Sequence, residues 1–346
     1  MASNKTRERK SRKNYKYACW RGYCPSLTER ENSRIRELAK RLNATSDKEV
    51  LTNVLEWQDR NIVFWFERYP LSFAILVVAV LGVAIAFLVE DPLLILIAPT
   101  LFKCLIVLVS VFVTLSLIAI YMVHSYRKLP LKQLFNIFPF SVSINSILEN
   151  KLCICRDYAK LTACLLFNIH PEMEIYFVHA PSHVATGMIV DKKLYILDKW
   201  LPVVTIDRWH ERWHKCKFSE KTVEKVKGMC LESVDLNCLL SKTNSPKLDT
   251  ARLASERERA RLADELKRRL SIQSSTVDTE GVSFKIMQWK KGAILYEDDE
   301  IVNYSLARRL KMLISREMLD VNRVTNIKID RKKDDLIFRV DLKSNK

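Results

Sequence analysis

The sequence predicts an α+β protein interrupted by a two-helix transmembrane hairpin and followed by a small C-terminal α+β unit. Two uncharged apolar runs predict the hairpin: Leu71 to Val89 and Cys104 to Val123 hold 19 and 20 residues. At about 1.5 Å per helical residue, each run covers a hydrocarbon core of about 30 Å. The α+β reading comes from residues 155–197, where apolar residues at helical spacing give way to strand-like segments joined by a tight turn. A helix followed by an antiparallel meander is an α+β signature.

The elements follow in order. Residues 1–26 are basic and polar and read as a tail. Residues 27–69 hold two short helices, one with Ile35, Leu38, Ala39 and Leu42 on a face, the other starting at Ser46-Asp47 and carrying Val50, Leu51, Val54, Leu55 and Trp57. The hairpin occupies 70–123, with spans 71–89 and 104–123, and Pro92 and Pro99 break the stretch between its arms. Residues 124–240 carry the main α+β core. There a helix that is apolar on a wide face starts at Cys155 and ends before Pro171, and strands follow at Ile175 to Val178, Val184 to Val190 and Leu194 to Leu197. Asp191-Lys192-Lys193 form the turn between the last two.

Residues 241–282 are a polar linker and a charged helix, with Leu262, Leu266 and Leu270 at four-residue spacing. Within 283–346, strand-like segments fall at Phe284 to Trp289 and Ala293 to Tyr296. A helix follows at Tyr304 to Met318, and a hairpin at Asn326 to Asp330 and Leu336 to Leu342.

Charge orients the hairpin. Residues 1–21 carry eight Lys or Arg against one acid, and Arg127, Lys128 and Lys132 follow the second run, whereas only Glu90, Asp91 and Lys103 stand between the runs. The positive-inside rule then puts both termini and the core in the cytoplasm of a multi-pass cell-membrane protein. The net charge of +17 is consistent with contact to anionic lipid head groups. No nucleic-acid motif accompanies it, so nucleic acid is not an expected partner; the bilayer and a protein or peptide substrate are. Nine cysteines in 346 residues do not make a disulfide scaffold. Cys19 and Cys24 form at most half of a metal site, no second pair completes it, and no metal or organic cofactor is implied.

Chemistry concentrates at three positions. A cysteine at a helix start has unpaired backbone N–H groups and the positive end of the helix dipole beside its sulfur, which favours thiolate. Cys155 is so placed. A cysteine nucleophile needs a base, usually histidine, held by a carboxylate or amide. His183 stands eight residues before Asp191 and Asp198 seven after it, so a hairpin centred near 190–191 brings His183 and Asp198 opposite each other. Cys153 competes with Cys155 as the reactive thiol, and His179 competes with His183, although Pro181 leaves His179 in a preceding loop. Arg156 and Asp157 read as a surface cation and a first-turn acid. Trp200, Trp209 and Trp213 either wall a cleft or pack in a core or on a membrane surface.

The segments CICRDYAKL, SHVATGMIV and LYILDKW resemble the transglutaminase-like superfamily with its papain-like cysteine-hydrolase core. More narrowly, the layout is similar to an uncharacterised group of archaeal membrane-bound transglutaminase-like proteins. Ser46 to Ile62 also looks like the helical segment that precedes the cysteine helix in such proteins. The resemblance covers about residues 27–69 and 140–215, which makes the hairpin an insertion, and two spans return the chain to the side it left. It implies Cys155 as nucleophile, His183 as general base and then acid, and Asp198 as the residue that orients the imidazole. Cys153 stands where the family has glycine, Val184-Ala185 replace its small-aromatic pair, and Lys199 replaces proline; these departures bear on substrate preference. The implied activity is a membrane-anchored cysteine-dependent amide hydrolase or acyl transferase working through a thioester. The alternative is a catalytically silent, membrane-tethered protein-binding module of the same fold.

Overall fold

The computed structural model describes residues 24–65, 142–180, 183–211, 223–227, 230–234, 253–272, 283–317, 319 and 321–343, with single helical positions between 107 and 125. The chain divides into two units, residues 1–62 with 155–346, and residues 63–154.

The first unit opens with three helices. Helix α1 (Leu27–Arg30) is closed by a capping box in which Ser26 and Glu29 satisfy each other's backbone N–H groups. Helix α2 (Ser33–Leu42) starts at Asn32, whose side chain accepts from the N–H groups of Arg34 and Ile35, and buries Ile35, Leu38, Ala39 and Leu42 as the spacing predicts. Helix α3 (Asp47–Asn61) buries Val50, Leu51, Val54 and Leu55.

The second unit, so far as it is described, holds β1 (Val63–Phe64), helix α4 (Ile144–Asn150) and β2 (Leu152–Cys153). Strands β1 and β2 pair in parallel, with Val63 opposite Leu152 and Phe64 opposite Cys153. Lys151 turns the chain between α4 and β2 in a left-handed conformation, φ 55°.

Helix α5 (Cys155–Ile169) is the centre of the first unit, and every residue from Asp157 to Leu166 is buried. A helix covered all round needs partners on every side. On one side Tyr158 Oη donates to the Ile62 carbonyl at 3.0 Å and Gln58 Nε2 donates to Thr162 Oγ1 at 2.8 Å. Lys160, almost fully buried, is neutralised by Glu29 at 2.6 Å. On the other side Thr186 Oγ1 donates to the Ala159 carbonyl at 2.8 Å, which fixes the helix to a sheet.

That sheet continues with β3 (Ile175–Ala180), β4 (His183–Val190), β5 (Lys193–Leu197) and β6 (Val204–Thr205). Helix α6 (Ile206–Glu211) follows, then β7 (Val223–Lys227) and β8 (Cys230–Val234). The spatial order is β6-β5-β4-β3-β7-β8, antiparallel throughout. The turn between β4 and β5 is Asp191-Lys192 alone, both at positive φ (49° and 62°), as a type I′ hairpin turn requires. Gly187 faces Ile196 in this hairpin, and a Cβ there would stand 3.0 Å from Leu194 Cδ1, so a larger residue would make the Leu194 and Ile196 side chains shift by a few tenths of an ångström.

The far face of the sheet is covered by the C-terminal third of the chain: α7 (Glu256–Arg269), β9 (Ser283–Trp289), α8 (Gly292–Leu295), α9 (Glu300–Arg316), β10 (Val324–Lys332) and β11 (Asp335–Leu342). Strands β10-β11-β9 form their own antiparallel sheet. Val178, Ala185, Leu194 and Ile196 of the six-stranded sheet share one core with Leu266, Trp289, Leu310 and Phe338. Polar ties accompany the core. Asp299 Oδ2 accepts from Lys193 Nζ at 2.8 Å and from Tyr195 Oη at 3.0 Å, and Glu56 Oε2 accepts two hydrogen bonds from Arg308 at 2.6 and 2.8 Å.

Two expectations are corrected here. Ala293 to Tyr296 is not a strand: the chain turns through Lys291 in a left-handed conformation, and Gly292–Leu295 close into a buried helical turn. A four-residue apolar run has no readable period. The transmembrane hairpin is the larger correction. Among the described residues no helix is long and apolar enough to cross a membrane. The longest, α9, has 17 residues, spans about 25 Å and carries charges along one side. The run 71–89 lies outside the described residues, and 104–123 is described only at single positions. The described architecture is α+β, and among the described residues nothing supports the two expected spans or the multi-pass cell-membrane localisation, with its cytoplasmic core, that rested on them.

Candidate active site

Cys155 is the first residue of α5 and is 7% exposed. His183 is the first residue of β4, and Asp198 directly follows β5. Strand register brings the last two together, though not as expected. With Thr186 opposite Leu197 and Val190 opposite Lys193, the residue across from Asp198 is Ala185, so His183 lies one diagonal step away on the same face. Diagonal neighbours are within reach of long side chains. His183 Nε2 sits 2.9 Å from Asp198 Oδ1 and 3.0 Å from Oδ2.

With Nε2 held by the carboxylate, Nδ1 is the ring nitrogen left for the thiol, and the imidazole is also hydrogen-bonded to Cys155. Burial alone would lower the imidazole pKa. The charge of Asp198, its hydrogen bond and the contact with Cys155 outweigh burial and raise it to about 9. At neutral pH the ring is therefore an imidazolium between two anion-forming groups.

Trp209 of α6 completes the arrangement. Its Nε1 donates to Asp198 Oδ2 at 3.3 Å, and its ring stacks on His183 with centroids 6.1 Å apart and planes 29° apart. The sequence left Trp209 open between cleft wall and core; it is 1% exposed, hence core, yet it touches both members of the pair. Trp200 is exposed, with Lys199 Nζ 4.3 Å above its ring. Trp213 lies outside the described residues.

The competing residues take other places. Cys153 is buried in β2. Cys164, midway along α5, has its thiol pKa pushed far up by burial, which makes it a poor nucleophile. His179 is not in a loop: it belongs to β3, and its Nε2 lies 2.8 Å from Glu224 Oε2 of β7. Nothing in the local sequence signals that pair, because Glu224 comes from a strand added on the other side of β3. Asp157 is the first-turn acid that the sequence suggests and is fully buried there, while Arg156, read as a surface cation, is half-buried. Cys24 is not part of a disulfide, and Cys19 lies outside the described residues. Among the described residues no group of three His, Cys, Asp or Glu side chains is placed to hold a metal ion.

A cavity of about 310 Å³ adjoins Asp198. Trp200 and Trp209 wall it from the sheet side, and Trp289, Lys290 and Arg309 from the C-terminal third. The latter three carry no sequence signal of a site, since only the packing of β9 and α9 brings them there. Cys155 and His183 are not among its walls.

The transglutaminase-like domain family matches residues 33–227, which run from the first residue of α2 to the last of β7. The chain belongs to this family. The transglutaminase-like match takes in the cysteine helix, the meander and Trp209, and it covers more than half of the chain. The family is a cysteine-dependent hydrolase or transferase superfamily. The chain is also similar to the UPF0252 protein MJECL39 of the archaeon Methanocaldococcus jannaschii, at 27% identity over 317 residues, covering 84% of this chain and 87% of that protein. That alignment extends past the transglutaminase-like region, since the region alone holds fewer residues than are aligned. No solved structure matches the chain.

Proposed function

We propose that this transglutaminase-like protein is a cysteine-dependent amide hydrolase or acyl transferase in which Cys155, His183 and Asp198 act through a thioester. The observation that carries the reading is His183, hydrogen-bonded at once to Asp198 and to Cys155, with an imidazole pKa raised to about 9. Such a ring keeps its proton at neutral pH and favours the thiolate of its partner.

The steps follow from that charge state. The Cys155 thiolate attacks the carbonyl carbon of a bound amide, and the carbonyl electron pair moves to oxygen. The N–H of Cys155, at the start of α5, is placed to donate to that oxyanion. The intermediate collapses as the imidazolium of His183 gives its proton to the departing amine nitrogen, leaving a thioester and a neutral imidazole. The imidazole then takes a proton from water or an amine as that nucleophile attacks the thioester, and the thiolate leaves. Water gives hydrolysis, which we favour, and an amine gives acyl transfer. Asp198 holds the ring orientation throughout and Trp209 holds Asp198.

The test is alkylation of each cysteine by iodoacetamide between about pH 5 and 9, followed by peptide mass spectrometry, on wild type, His183→Ala and Cys155→Ala. Cys155 should react fastest, with an apparent pKa well below the unperturbed value of about 8.5, and His183→Ala should raise that value. If Cys155 reacts no faster than Cys24, the proposed chemistry is wrong and the domain is a silent binding module.

A further inference from the structure

The cavity beside Asp198 does not stand alone. A second, more open depression of about 520 Å³ lies on the C-terminal sheet, and the two share Gln288 and Lys290. The second is lined by Lys285, Lys290, Lys291, Lys332 and Lys333, against only Asp334 and Asp335. All five lysines are exposed. Asp335 is already committed: it accepts from the Lys291 backbone N–H at 2.8 Å and from Gln288 Nε2 at 2.7 Å. Lys290, Lys332 and Lys333 make no ion pair among the described residues.

Backbone geometry keeps the lysines outward. Lys291 and Lys333 both sit at positive φ (56° and 57°) at the ends of β9 and the β10–β11 turn, so the two lysine pairs are carried on turns rather than on a packed face. Through the shared Gln288 and Lys290 the depression adjoins the cavity walled by Trp200, Trp209 and Trp289, where the exposed Trp200 ring offers a stacking partner to a flat apolar side chain. Clustered cations beside an aromatic cavity fit an anionic chain with an apolar anchor. Nucleic acid would satisfy the charge but carries neither a peptide bond nor a side-chain amide for the thiol to attack.

We propose that the lysine-lined depression and the tryptophan-walled cavity form one binding track for an acidic polypeptide, which is the substrate class of the neighbouring site. The substrate part rests on the chemistry proposed above; the binding part does not. Acidic residues lie over Lys285, Lys291, Lys332 and Lys333, and an apolar residue enters the cavity beside Asp198.

The test uses the full-length protein and a short fluorescein-labelled peptide rich in glutamate with a nitrotyrosine at one end. A glutamine analogue and a mixed-sequence single-stranded DNA of equal charge are the comparisons. The glutamate peptide should bind wild type and Cys155→Ala equally and lose affinity as salt rises. Its binding should weaken at least tenfold in Lys285→Gln/Lys291→Gln/Lys332→Gln/Lys333→Gln. Nitrotyrosine should quench tryptophan emission, and less so in Trp200→Phe. In wild type the bound peptide should also slow Cys155 alkylation. Equal binding of the glutamine analogue, unchanged binding by the four-lysine variant, tighter binding of the DNA, or binding without tryptophan quenching would each overturn the track. An inert Cys155 with lysine-dependent binding and quenching intact would instead sink the chemistry and leave the track standing.

Discussion

Trp209 donates its indole N–H to Oδ2 of Asp198 at 3.3 Å while its ring stacks on His183, so one side chain holds both members of the imidazole–carboxylate pair. Trp209→Phe keeps a ring in place and removes only the donor. It should cost about 1 kcal/mol of stability and slow Cys155 alkylation several-fold at neutral pH. Trp209→Ala empties a buried site and should cost about 3–5 kcal/mol. Thermal melts of the two variants beside their alkylation rates separate orientation from packing.

The pKa of His183 sets a pH window. The group lies above its unfolded value of 6.5, at about 9, so its contribution to stability is complete below pH 6.5 and is lost as pH rises through 9. The amount is on the order of 3 kcal/mol. Denaturant midpoints should fall across that window in wild type and stay flatter in Asp198→Asn, where burial is no longer opposed by the carboxylate. Iodoacetate, drawn by the imidazolium, should lose its rate advantage over iodoacetamide above about pH 9. A ratio constant from neutral pH to pH 10 would place the proton elsewhere.

Gly292 lies against the Trp289 ring, where an added Cβ would stand 2.8 Å from Cδ2. Gly292→Ala must push that ring, so it should destabilise by about 1–3 kcal/mol. Trp289 also walls the cavity beside Asp198, and the variant should change tryptophan emission as well as the melting temperature.

Arg308 and Glu56 join α9 to α3 through two hydrogen bonds to Glu56 Oε2, with Glu56 mostly buried and Arg308 partly exposed. Exposure on the Arg308 side discounts the pair, and a double-mutant cycle with alanine at both positions should give a coupling of about 1 kcal/mol. A coupling near zero would mean that this pair does not help to hold the C-terminal third in place.

Much of the first unit is legible from local pattern. Ile35, Leu38, Ala39 and Leu42 mark their helix face by spacing, and β3, β4 and β5 fall near their expected positions. The expected pairing of His183 with Asp198 put the hairpin centre near 190–191, whereas the two-residue turn centres it between Asp191 and Lys192. The error cost little, because a shift of two positions along the ladder keeps a side chain on the same face. His179 was hidden for a related reason: a proline soon after it suggested a loop, while the strand runs on to Ala180. The apolar runs are a different case: 71–89 lies outside the described residues and 104–123 is described only at single positions, so the expected spans find no support among the described residues. What could not be read at all is the closure of β9 and α9 over the sheet, because contacts between distant segments leave no period in the sequence.

The division at Ile62 and Cys155 has one more consequence. The first unit is assembled from two stretches of chain, and its interior is shared between them: Gln58 bonds Thr162, Ile62 accepts from Tyr158, and Glu56 holds Arg308. One stretch, 1–62, bears none of the candidate catalytic side chains; the other, 155–346, bears Cys155, His183 and Asp198. The unit is in effect built like a split protein, with residues 1–62 as its shorter piece. Supplied in trans, that fragment would complete the casing around the cysteine helix, and thiol reactivity would report the moment of its docking.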